Sequence, residues 1–135
     1  MPNVIARHHR LAFGVRAAVA AWGLQTCALT PDLAADTVTA IRTPDGVDAR
    51  DVLREAYDRY NASFGSGLGP LDGRVFRIGH IGDSNEGICL TAIALALAEL
   101  ALAAAGAKLH FGSGVAAAQA IYAQPTATAD HLAAE

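Results

Sequence analysis

The run from Gly87 to Gly106 decides most of what this chain can become. It is built largely of Ala and Leu, and Glu99 is the only charged residue between the two glycines. A helix of this composition has no polar face to offer water, so it must be covered all round, by lipid or by other protein elements. Its length approaches that of a bilayer span. A carboxylate inside the run, and the lack of a Lys/Arg cluster at either end, favour a buried core helix and no membrane role.

A core helix needs partners, and 135 residues supply one domain of ordinary size and no second. Such a chain buries about two-thirds of its unfolded surface, so no disulfide or metal staple is required. Hydrophobic residues make up 53% and charged residues 17%, which excludes disorder and points to apolar surface hidden against another domain or subunit. The net charge is -3 and the ten basic residues are scattered, so a nucleic-acid footprint is not expected. Cys27 and Cys89 lack CxxC spacing and lie in apolar settings. They read as free thiols of a reducing compartment. The polar start, Met1 to Arg10, lacks the apolar segment of a secretory signal, so the expected location is cytoplasmic.

The remaining pattern predicts helix, strand, helix, strand, strand, helix, helix. Ile5, His8, Leu11, Ala12, Val15, Val19 and Trp22 recur at helical spacing over Val4 to Leu24, with Gly23 as a stop. Thr37 to Arg42 is β-branched and alternating, with Thr39 and Ile41 on one face and Val38, Ala40 and Arg42 on the other. Thr43-Pro44-Asp45-Gly46 is a turn, and Asp48 caps a helix to about Tyr60 whose stripe takes in Val52, Leu53, Ala56, Tyr57 and Tyr60. A short strand at Phe64 passes into a glycine-rich loop, and Val75 to Ile78 forms the next strand, with Phe76 and Ile78 opposite Val75 and Arg77. Asp83 and Glu86 read as a capping box for the Ala/Leu helix, and a last helix spans Val115 to Ala123. Helices that each need one apolar face, beside strands joined by short returns, imply an α+β two-layer sandwich: a small, mainly antiparallel sheet with helices on one face.

Arg77 is the most pointed chemical signal. It projects from a strand beside a glycine turn and a helix start, where a planar guanidinium fork suits a carboxylate. A surface ion pair accounts for the same pattern. His80, in the adjoining turn, either lines a ligand site or bonds to local backbone. His8 and His9 are adjacent on a helix and lack a third ligand at suitable spacing, so no metal site is expected. Gly65-Ser66-Gly67-Leu68-Gly69 has neither the lysine nor the helix that would follow a phosphate-cradling loop. Lys108 is the only lysine, and no nucleophile–base pair or paired carboxylates emerge. The residues alone give a carboxylate receptor and no catalytic group.

Three strings carry a resemblance: Arg7-His8-His9-Arg10-Leu11-Ala12 with Gly14-Val15-Arg16; Asp36 to Ile41; and Val75-Phe76-Arg77-Ile78-Gly79-His80-Ile81-Gly82-Asp83 with Asn85-Glu86. Together they resemble the C-terminal part of class V aminotransferases, of the serine–glyoxylate and alanine–glyoxylate type, over about residues 5 to 123. The resemblance implies the small domain of a fold-type-I pyridoxal-phosphate enzyme. Residues 1–24 would be a long helix leading in from a large domain absent from this chain, residues 25–124 the small domain, and residues 125–135 a frayed tail. It also implies that Arg77 holds the substrate α-carboxylate and that His80 helps line the site.

The pyridoxal lysine, the aspartate facing the pyridine nitrogen and most phosphate contacts would belong to the large domain. Lys108 falls past the long helix and does not match the pyridoxal lysine, so this chain alone is not expected to be active. Phe13 replaces a glutamate of such relatives. The expected function is therefore one domain of a transaminase acting on a small amino acid and glyoxylate or a similar 2-oxo acid. Its partners would be the large domain, or a separate chain supplying it, and a second subunit in a homodimer. The alternative is a freestanding carboxylate-binding or assembly module.

Overall fold

The computed structural model describes residues 2–82 and 88–125. The proposed capping box at Asp83 and Glu86 and nearly all of the expected frayed tail lie outside these residues. The described residues form four α-helices and four strands: α1 (Pro2–Ala21), β1 (Gln25–Thr26), β2 (Val38–Arg42), α2 (Ala49–Tyr60), β3 (Gly65–Ser66), β4 (Val75–Gly79), α3 (Ile88–Ala104) and α4 (Ser113–Tyr122). The strands make one fully antiparallel sheet in the order β1-β2-β4-β3. The architecture is α+β, as the alternation of Thr37 to Arg42 and Val75 to Ile78 requires.

Register fixes the two faces. Ile41 pairs with Phe76 and Thr39 with Ile78, and all four are buried. Ala40 pairs with Arg77 and Arg42 with Val75 on the opposite face. Because side chains alternate along a strand, this register sends Phe76 and Ile78 into the helical core and Arg77 away from it. Phe64 adds a tilted ring contact to Phe76, centroids 6.1 Å apart. β1 is an added edge strand, too short to show a period of its own.

Helices α1 and α2 touch the sheet, and α3 and α4 pack against them. The Ala/Leu run packs one face into the core, where Leu95, Ala98, Ala101 and Leu102 are fully buried, but it is not covered all round: Ile93 and Leu100 are exposed. No helix among the described residues is long and apolar enough to cross a membrane. Asp48 caps α2 by accepting the Arg50 N–H at 2.8 Å. That helix buries Ala49, Val52 and Ala56, three and four residues apart, whereas Tyr57 is 64% exposed. Tyr57 follows Ala56 by one position, which turns it about 100° off the packed line. The first two turns of α1 likewise extend beyond the core, and Ile5 is exposed; packing begins at Leu11.

α1 and α4 run antiparallel, and each seats a ring of the other on a glycine. A Cβ at Gly14 would fall within the Tyr122 ring, and a Cβ at Gly114 would fall on the Trp22 indole. The Tyr122 hydroxyl donates to the Leu11 carbonyl at 2.9 Å, and Arg10 donates to the carbonyls of Tyr122 and Gln124 at the end of α4. These bonds use orphan acceptors that a helix end otherwise leaves to water.

Candidate functional site

Arg77 occupies the centre of β4, flanked by Ala40 of β2 and Gly65 of β3. Its side chain is half-buried and lies across the edge strand, where Nε donates to the Ser66 carbonyl at 2.8 Å. Gly65 leaves the space it crosses: a Cβ there would sit 3.2 Å from both Arg77 Cβ and Nε. Among the described residues no carboxylate pairs with Arg77, and neither Nη nitrogen has a partner. The ion-pair reading open at the sequence level has no partner in these residues. A planar cation anchored at one nitrogen, with the far edge of its fork unpaired, suits a planar anion such as a carboxylate.

His80 projects to the opposite face. Its backbone N–H extends the sheet by donating to Thr37 O at 3.0 Å, and its side chain is 1% exposed. Nδ1 lies 3.0 Å from the Asp36 carbonyl and Nε2 lies 2.9 Å from Thr39 Oγ1. A carbonyl only accepts, so Nδ1 carries the proton, and the Thr39 hydroxyl donates to Nε2. Burial pushes the His80 pKa below the ordinary imidazole value, assisted by the charges of Arg16 and His8 and opposed by the Asp36 carbonyl bond. The ring is neutral, with both nitrogens engaged within the domain.

Around it a polar cluster joins α1 to the sheet. Asp36 pairs with His9 at 3.0 Å and with Arg16 at 3.4 Å. Burial opposes ionisation of Asp36, but the His9 and Arg16 contacts outweigh it and hold the carboxyl below its usual value. His8 Nδ1 bonds the Val4 carbonyl at 2.7 Å, and its Nε2 accepts the Gly82 N–H at 3.1 Å. His8 and His9 thus fasten two separate segments, the turn after β4 and the loop that leads into β2. No group of three or more His, Cys, Asp or Glu placed to hold a metal occurs among the described residues.

The structure therefore separates Arg77 and His80, three positions apart in sequence, and brings Arg77 together with Gly65 and Ser66. In the sequence those two residues stand out only as part of a short strand that passes into a glycine-rich loop. Nothing local marks them, because their link to Arg77 is set by strand register.

No family model matches the sequence. Among curated proteins the chain is 51% identical to an L-aspartate–glyoxylate aminotransferase of Paracoccus denitrificans, over 99% of its own length and 33% of that protein's. It is 53% identical to a serine–glyoxylate aminotransferase of Methylorubrum extorquens, over 87% of this chain and 29% of the relative. A solved pyridoxamine–pyruvate aminotransferase from Mesorhizobium loti superposes with a TM-score of 0.81 at 41% identity, over 87% of this chain and 30% of that one. This chain belongs to the class V aminotransferases. It spans about a third of the length of the curated aminotransferases it matches, and the α+β unit described above matches the small domain of its structural neighbours.

Proposed function

We propose that this chain is the C-terminal small domain of a pyridoxal-phosphate transaminase that moves an amino group between a small amino acid and glyoxylate or a similar 2-oxo acid. Its contribution is Arg77, which holds the substrate carboxylate. The observation that carries the reading is the state of that side chain: Nε tied to Ser66 O at 2.8 Å, both Nη nitrogens unpaired among the described residues, on the face opposite the helical core. Binding through a fixed fork orients a substrate and needs no proton transfer from the arginine.

The residues of this chain do not themselves fit pyridoxal phosphate. Lys108, its only lysine, is exposed in the connection between α3 and α4. The glycine-rich string offers no phosphate cradle either, because Gly67 is packed against the Leu71 carbonyl, where a Cβ would collide. Cofactor attachment is assigned to the large domain. Phe13, Leu29 and Leu33 are 51%, 88% and 66% exposed, which supports a covering partner: the large domain and, in the complete cytoplasmic enzyme, a second subunit.

The test is a hybrid in which this chain replaces the matching third of the Paracoccus denitrificans enzyme. Arg77→Ala in the hybrid is expected to raise KM for both substrates about a hundredfold, the scale of losing a charge-assisted bidentate pair. Cofactor absorbance should be unchanged. An unaltered KM overturns the reading.

A further inference from the structure

We infer that Gly65 and the Ser66 carbonyl are positioning groups for Arg77, and that they restrict it to gripping a carboxylate end-on through Nη1 and Nη2. This rests on the carboxylate role proposed for Arg77.

A guanidinium has five N–H bonds in one plane and two edges that can meet both oxygens of a carboxylate. One edge is formed by Nε with an Nη, the other by the two Nη nitrogens. In this structure the first edge is spent, because Nε donates to Ser66 O at 2.8 Å. An incoming carboxylate that took that edge would have to displace the backbone carbonyl of β3. The end-on edge, with no partner among the described residues, remains.

Gly65 makes this orientation possible. It faces Arg77 across the β3–β4 ladder, so any side chain there would share the sheet face with the arginine. A Cβ would stand 3.2 Å from Arg77 Cβ and Nε and 3.5 Å from Cζ, along the length of the side chain as far as the guanidinium carbon. The arginine would have to shift by a few tenths of an ångström, which strains the Ser66 bond and turns its fork. Gly79 is the matched control. It lies two residues after Arg77 on the same face of the same strand, and a Cβ there meets nothing within 4 Å.

Two measurements test this. In the 135-residue chain, the Arg77 Nε–H is expected to give a resolved, slowly exchanging NMR signal that Gly79→Ala preserves and Gly65→Ala abolishes. A signal unaffected by Gly65→Ala overturns the inference. In the hybrid enzyme, Gly65→Ala should raise KM for glyoxylate about tenfold with kcat within about twofold, the pattern of weakened substrate binding with intact chemistry. Glyoxylate bound to the hybrid crystal should place its carboxylate on Nη1 and Nη2; a carboxylate oxygen on Nε overturns the end-on mode. If Arg77→Ala raises KM and Gly65→Ala does not, the positioning role fails and the carboxylate reading survives. If neither moves KM, both fail.

Discussion

The Trp22 indole N–H donates to Glu99 Oε1 at 2.8 Å, joining the end of α1 to the middle of α3 across 77 residues of sequence. The same carboxylate accepts the Gly114 N–H at 2.8 Å through Oε1 and the Gly112 N–H at 2.6 Å through Oε2. Glu99 is 3% exposed, so the one charge in the Ala/Leu run is the N-terminal cap of the next helix, supplied from outside it.

Glu99→Gln is therefore expected to be far from conservative. The amide keeps one acceptor and turns a donor toward backbone donors, leaving at least one buried N–H unmatched. We expect a loss of about 2–4 kcal/mol, read from the urea midpoint by circular dichroism. A change below about 0.5 kcal/mol is the size of an ordinary surface substitution and would refute the capping role.

Tyr122 fixes the other end of the α1–α4 pair. Gly14→Ala is expected to cost about 2 kcal/mol or more through overpacking against its ring, although Ala is the better helix former by about 1 kcal/mol. Burial pushes the Tyr122 hydroxyl up to about 12, with Arg10 pulling weakly the other way. An acid whose folded pKa is raised stabilises the fold below its unfolded value, about 10, and that stability is lost as pH rises toward 12. Stability should therefore fall from pH 10 to pH 12, and Tyr122→Phe should flatten the fall. An equal slope in both proteins would contradict this.

Much of the architecture was legible because the forces setting it are local. Asp48 caps α2 through the amide two residues on, and the alternation from Val38 to Arg42 names its own faces. Of the proposed site, the sequence singles out one residue only. Arg77 stands out in its string, but Gly65 and Ser66 meet it through register, and Glu99 reaches Trp22 through the packing of whole helices. His80 illustrates the same limit: its three-residue spacing from Arg77 suggests a shared site, yet pleating puts the two on opposite faces. Tyr57 and Ile5 carry apolar identities into exposed positions, where composition alone cannot separate core from flank.

His80 should make stability depend on pH between neutrality and mild acid. Its folded pKa lies below the ordinary value, so in this window the unfolded chain binds a proton that the folded chain excludes. Stability is then present above about pH 6.5 and declines as pH falls through the folded value. Thr39→Val removes the hydroxyl that donates to Nε2 and is expected to cost about 1 kcal/mol at pH 7.5. Urea melts at pH 7.5 and 5.5 should show a lower midpoint at 5.5, and His80→Gln should remove most of that difference. A midpoint that is flat or rises toward pH 5.5 would contradict the buried neutral ring.

Arg77 and Phe76 are neighbours with opposite duties, which a pair of substitutions can separate. Phe76 is fully buried between the sheet and the helices, and Phe76→Ala is expected to cost about 3–5 kcal/mol. Arg77→Ala gives up one hydrogen bond to Ser66 and some contact with β3, about 0.5–1.5 kcal/mol at most. Urea denaturation of both variants tests the contrast. A residue whose removal barely shifts the midpoint, yet whose guanidinium is held half-buried with its fork unpaired, is kept for something the fold does not need. If Arg77→Ala destabilises as much as Phe76→Ala, the arginine is part of the scaffold, and a role in substrate binding loses its physical basis.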